Sequence, residues 1–135
     1  MNRELQYPSR ETIYKLTKEL GLEGATEYTQ DWECEVANIA QLPKYINYYK
    51  TNKLNLNEKS TLMRIILESY NDYIRMSCKE DEYGETIKDL LEREYLIHQE
   101  TVNHYGCEND DLEDCYAITP FIRTIRDRIA SLNQF

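Results

Sequence analysis

The side chains best able to do chemistry crowd into residues 93–114. Glu94 and His98 stand four apart, as do Glu100 and His104, and Cys107 follows three beyond His104. A carboxylate and an imidazole on one helical face are half a set of metal ligands. Zinc sites need two such pairs at tight spacing, and the carboxylate-bridged metals of helical bundles need Glu-x-x-His on two helices. Neither pattern is present, and Glu and His at this spacing ordinarily form a modest surface pair. The run Glu108-Asn109-Asp110-Asp111-Leu112-Glu113-Asp114 offers carboxylates to calcium. It lacks the alternating acids, the glycine and the distal Glu of an EF-hand loop. It reads either as a solvated loop whose acids favour a helix start, or as half of a surface that grips cations on another protein. Glycine occurs only at Gly21, Gly24, Gly84 and Gly106, too sparsely for a phosphate-cradling loop. No metal and no cofactor is expected.

The segment Arg93-Glu94-Tyr95-Leu96-Ile97-His98 resembles the signature of HEPN ribonucleases. The resemblance implies an all-α domain in which Arg93 and His98 of two protomers assemble a metal-independent RNA-cleaving site. The residue after the arginine is Glu94, an anion where RNA phosphate would have to bind. The competing reading of the same pair is a helix-surface Arg93 and a partly buried His98. A ribonuclease using these two residues is therefore the alternative function.

Charge separates partner classes more sharply. Sixteen Lys and Arg against 25 Asp and Glu leave a formal net charge of −9. Nucleic-acid affinity comes largely from cations displacing phosphate counterions, so this balance argues against nucleic acid and against anionic lipid. It favours encounter with a basic protein. No apolar run approaches the roughly 20 residues of a membrane span, and the first residues lack the apolar core of an export signal. A soluble protein of the cytoplasm is expected. Cys34, Cys78, Cys107 and Cys115 form no C-x2-C pair, so disulfides are not expected, and Cys78 and Cys115 read as small hydrophobes in helices.

Helical periodicity runs through nearly the whole chain. Ser9 is placed to cap a helix carrying Ile13, Leu16 and Leu20, with Gly21 as its stop. Trp32, Val36 and Ile39 suggest a short helix or ordered turn. Asn38 caps a helix through Leu42, Tyr45, Ile46 and Tyr49, which Pro43 forces either to begin near Leu42 or to bend. Asn57 caps the clearest helix, expected over 58–78 and apolar over more than half its circumference. Such a helix is normally central. Another long helix is expected from the acidic Glu80-Asp81-Glu82 through about His104, with Gly106 stopping it. Leu112, Cys115 and Tyr116 suggest one further turn. Thr119-Pro120 starts a last helix with Ile122, Ile125, Ile129 and Leu132 inward and Arg123, Arg126 and Arg128 outward. Strand signals are almost absent. The expected fold is all-α, one domain over 1–135, a bundle of about five or six helices.

Tyrosine is unusually abundant, at 12 residues. Tyr45, Tyr48 and Tyr49 share one helix and cannot all face one core. Tyrosine is enriched at interfaces because a rigid apolar ring carries a polar tip. Coding bias explains most of the excess, since Asn, Lys and Ile are plentiful too, and an interface role explains some rings.

Asp31-Trp32-Glu33-Cys34-Glu35-Val36-Ala37-Asn38, with Leu56-Asn57-Glu58-Lys59 and Glu68-Ser69-Tyr70-Asn71-Asp72-Tyr73, resembles small acidic bacterial immunity proteins. These are the inhibitors of polymorphic-toxin and contact-dependent-inhibition systems. The likeness spans residues 31–75, about a third of the chain, with Cys34 and Pro43 outside the pattern. It implies stoichiometric inhibition: one basic toxin domain bound and its active site occluded. No functional residue is carried over by the matched positions. The expected function is thus a non-catalytic protein-binding module of this kind, with a small structural or regulatory helical protein as a further alternative. The residues expected to bind the partner are Glu80, Asp81, Glu82, Asp110, Asp111, Glu113, Asp114 and Tyr48.

Overall fold

The computed structural model describes residues 8–22, 32–76, 82–107 and 110–132. They form seven α-helices and two 3-10 turns, with no strand among the described residues. In order these are α1 (Arg10–Leu20), α2 (Trp32–Glu35), a 3-10 turn (Ile39–Gln41), α3 (Leu42–Thr51), α4 (Leu56–Met76), α5 (Gly84–Arg93), α6 (Tyr95–Gly106), a second turn (Leu112–Asp114) and α7 (Thr119–Leu132). The all-α bundle expected from periodicity is what forms. It has more helices than expected because the long helix after residue 80 is two helices and Trp32–Glu35 is a separate one.

Local chemistry explains most boundaries. The Ser9 hydroxyl accepts from the Thr12 amide at 3.1 Å, and Gly21 ends α1 at φ 67°, where a glycine meets no Cβ penalty. Pro43 sits at the start of α3, where its missing N–H costs nothing, so the helix begins at Leu42 and does not bend. Asn38 caps the preceding 3-10 turn instead, accepting from Ala40 at 2.8 Å. The cap of α4 is Asn55 rather than Asn57. Asn55 Oδ1 accepts from the Glu58 amide at 2.8 Å, and Glu58 Oε1 accepts from the Asn55 amide at 2.9 Å, a reciprocal capping box. Asn57 is diverted to the Ser9 amide at 2.9 Å, tying the start of α1 to the start of α4.

α4 is the centre of the bundle. Leu62, Met63, Ile65, Ile66 and Leu67 are wholly buried, and α1, α2, α3 and α6 all pack against it. Glu58, Ser60, Thr61, Arg64, Ser69 and Asn71 of the same helix are buried too, and two of these polar groups tie it to its neighbours. Arg64 is 2% exposed, and its Nε donates to Glu33 of α2 at 3.1 Å while Nη1 donates to Ser60 at 3.2 Å. Asn71 accepts from the Ile118 amide at 2.9 Å, which seats the approach to α7 on α4.

Glu94 breaks the expected long helix, at φ −122° and ψ 38°, without a proline or glycine. Tertiary bonds to its carboxylate hold it there. The Tyr49 hydroxyl of α3 donates to Oε1 at 2.8 Å, and Lys59 of α4 pairs with Oε2. At the far end of α6 the stop is also shifted by one residue. Gly106 remains helical and lies 3.6 Å from Arg126 at its absent Cβ position, while Cys107 takes the left-handed conformation at φ 50°. That conformation costs a non-glycine residue about 1 kcal/mol or more.

Candidate protein-interaction site

The loop from α6 to α7 carries most of the acids singled out by sequence, and it is held rather than loose. Cys107 and Cys115 are joined in a disulfide with Cα atoms 5.9 Å apart. This corrects the expectation of free thiols and of Cys115 as a helical hydrophobe. The physical reason is tertiary. The left-handed turn at Cys107 and the 3-10 turn at Leu112–Asp114 fold the loop back on itself, bringing together sulfurs eight positions apart. Arg123, expected to point outward, turns in and grips the same loop. Its Nε donates to the Gly106 carbonyl at 2.7 Å, and Nη2 donates to the carbonyls of Cys107 at 2.6 Å and Asp110 at 3.1 Å. The bonds to Gly106 and Cys107 satisfy carbonyls at the end of α6, and the bond to Asp110 reaches into the loop.

On this frame Asp110, Asp111, Glu113 and Asp114 are all exposed, and no ion pair engages them among the described residues. Glu82, exposed at the entry to α5, belongs to the same end of the bundle. The link is a chain of rings: Tyr83 meets Tyr73 edge-on at 5.1 Å, Tyr73 stacks on Tyr70 at 5.9 Å, and Tyr70 meets Phe121 of α7 at 5.1 Å. Tyr73, Tyr83, Tyr116 and Phe121 are half-buried here, and Met76 and Leu112 are 79% and 53% exposed. The carboxylates therefore border apolar surface. Tyr48 does not join them. It lies half-buried near Lys15, Glu19 and Glu58, on the α1 side. Trp32, the other aromatic a binding surface would favour, is core at 3% exposure. Glu80 and Asp81 lie outside the described residues, as does Cys78.

The pair Arg93 and His98 is divided by the break at Glu94. Arg93 ends α5 and is exposed, whereas His98 on α6 is wholly buried. His98 Nε2 lies 2.6 Å from the Tyr49 hydroxyl. That hydroxyl has one proton and gives it to the Glu94 carboxylate, so its oxygen accepts from His98 Nε2–H. Nδ1 then carries no hydrogen, and it has no partner among the described residues. Burial, followed by the nearby Lys59 and Arg64 cations, drives the imidazole pKa down to about 4, against the opposing pull of Glu94. Burial alone would raise the Glu94 carboxyl. The Lys59 and Tyr49 hydrogen bonds outweigh it and hold that group below the usual carboxylate range. This constellation locks α3, α4, α5 and α6 together, with its imidazole shut away from solvent.

No protein-family model matches this chain, and neither a curated protein nor a solved structure shows significant similarity to it.

Ligand atoms of Cys107, Asp110 and Cys115 fall within 4.8 Å of one another, but the two sulfurs are bonded to each other and so cannot serve as thiolates. Sequence reasoning marked the acids of the loop by their run of charge. It missed Arg123 and Arg126, both expected outward with Arg128 but half-buried, Arg126 lying beside Gly106, and it missed the disulfide. Closing a loop of this length restricts the unfolded chain by about 2.5 kcal/mol in the entropic account. Reduction by dithiothreitol, with Cys107→Ser/Cys115→Ser as its equivalent, is therefore expected to lower unfolding free energy by about that amount. Urea titration with and without reductant measures it.

Proposed function

We propose that this chain is a non-catalytic protein-binding module of the immunity-protein kind, neutralising a basic toxin domain docked on its acidic end. The observation that carries the reading is the build of the 107–115 loop. Four exposed acids, without ion pairs among the described residues, are displayed on a segment already fixed by a disulfide and by three Arg123 hydrogen bonds. Fixing a loop before contact removes ordering entropy that binding would otherwise cost. Exposed carboxylates speed encounter with a basic surface, and the bordering Tyr83, Met76 and Leu112 supply apolar area for the bound state.

The matching experiment is co-expression with the C-terminal domain of a large secreted protein encoded immediately upstream, followed by calorimetry. One-to-one binding with growth rescue is expected. Asp110→Asn/Asp111→Asn/Glu113→Gln/Asp114→Asn should weaken it by about 1–3 kcal/mol and flatten its salt dependence. Binding unchanged by those four substitutions would move the interface elsewhere, and no binding would sink the pairing.

Such an inhibitor would meet its toxin in the cytoplasm. The Cys107–Cys115 bridge is the observation that strains this placement, because cytosolic thiols are kept reduced. Alkylating thiols in intact cells before lysis reports which state the compartment maintains.

A further inference from the structure

At the other end of α4 the charge pattern is reversed. A cleft of about 580 Å3 opens between the end of α3, the connector before α4 and the end of α5. Lys50, Lys53, Lys59 and Arg93 line it, one from each of these elements and one from α4 itself. Among the described residues Glu94 is the only carboxylate lining it, and that group is spent: Oε1 accepts from Tyr49 and Oε2 is paired with Lys59. Lys50, Lys53 and Arg93 are exposed, and none has an ion-pair partner among the described residues. Lys44 and Arg123 also lack a carboxylate partner there, but each is engaged by backbone carbonyls. Arg10 and Lys18 stand apart on α1. In a chain of net charge −9, three cations without a carboxylate partner among the described residues thus converge on one concavity.

Converging cations repel one another, and no described carboxylate offsets that repulsion here. A bound anion would. Lysines serve as point charges toward phosphate, and an arginine guanidinium grips its oxygens in a fork. The volume lies within the range of small-molecule sites. Its floor is fixed, because Tyr49 is buried and its hydroxyl is held from two sides by Glu94 and His98. Leu54 and Leu90 supply an apolar wall.

We propose that this cleft is a binding site for the diphosphate or triphosphate group of a molecule no larger than a nucleotide, held by Lys50, Lys53 and Arg93. It is independent of the acidic end, on which the protein-binding reading rests.

The test is calorimetry of the whole chain at low salt with two probes, inorganic pyrophosphate and metal-free ATP. Saturable one-to-one binding below about 1 mM is expected for at least one. Lys50→Ala/Lys53→Ala/Arg93→Ala should weaken it at least about tenfold, with unchanged helical circular dichroism, since all three side chains are exposed. Arg10→Ala/Lys18→Ala removes the same kind of charge from α1 and should leave binding intact. Equal affinity for both probes assigns the ligand to phosphate chains as such. Tighter ATP binding assigns it to a nucleotide whose base rests on Leu54 and Leu90. Binding of neither probe, or binding that survives the triple substitution or is lost equally in the α1 variant, overturns the proposal.

Discussion

Glu33→Ala is expected to destabilise the fold by about 3 to 5 kcal/mol, a large share of the stability of a domain this size. Arg64 stands in the middle of the central helix at 2% exposure, and Glu33 is its one carboxylate partner among the described residues. Its other hydrogen bond, from Nη1 to Ser60, is to a neutral hydroxyl, and Nη2 lacks an acceptor there, so no second charge compensates. Removing Glu33 leaves a guanidinium buried without a counter-ion, the costly half of a broken ion pair. Replacing both residues with methionine removes the buried charge altogether and should restore most of the loss. Equilibrium urea unfolding of the single and double variants checks the sign and the size. A loss below about 1 kcal/mol in Glu33→Ala would mean that water reaches Arg64, and the ion pair would then be incidental to stability.

Acid should weaken the protein for a separate reason. His98 is folded in neutral, at a pKa of about 4, against about 6.5 in an unfolded chain. As pH falls from about 6.5 the unfolded chain takes up the proton first. The stability contributed by the depressed pKa is complete above that point and is lost progressively down to about pH 4, by about 3 kcal/mol. Glu94 acts in the same direction, since its carboxyl is held below the usual range and protonation releases Lys59 and Tyr49. Urea midpoints between about pH 7.5 and 4 should therefore slide steadily downward. Tyr49→Phe strips Nε2–H of its one acceptor among the described residues and should cost about 1–3 kcal/mol at neutral pH. A midpoint independent of pH across this window would show that His98 protonates without opening the bundle.

The parts of this fold that were legible in sequence are those decided by nearest neighbours along the chain. Ser9 and Gly21 bracket α1 because a cap hydroxyl and a left-handed glycine act within one turn. The inward faces of α3, α4 and α7 follow from helical spacing: Leu42, Tyr45, Ile46, Tyr49, Ile122, Ile125 and Ile129 are buried as the period requires. Leu132, expected inward, is instead 57% exposed because α7 ends there. What the sequence withheld depends on partners distant along the chain. Asn57 has the same capping chemistry as Asn55 and loses the role because Ser9 claims its side chain. Glu94 has good helix propensity, yet two side chains from α3 and α4 hold it in a break. Arg123 has the spacing of a solvent-facing residue and is captured by three carbonyls of a folded-back loop. For the candidate site the same division holds. The acidic run announced itself by composition, whereas its rigidity, its bordering rings and the opposing cationic cleft exist only after assembly.

The staple between α6 and α7 also decides what a cut would do. Asp110, Asp111, Leu112, Glu113 and Asp114 are exposed, the kind of stretch a protease finds first. Cleavage there severs the backbone but not the molecule, because both new ends stay tethered through Cys107 and Cys115. The nicked protein would run as an intact band on a denaturing gel without thiol, and as two fragments once thiol is added. A protein handled this way survives one scission with α7 still anchored to the bundle by covalent means.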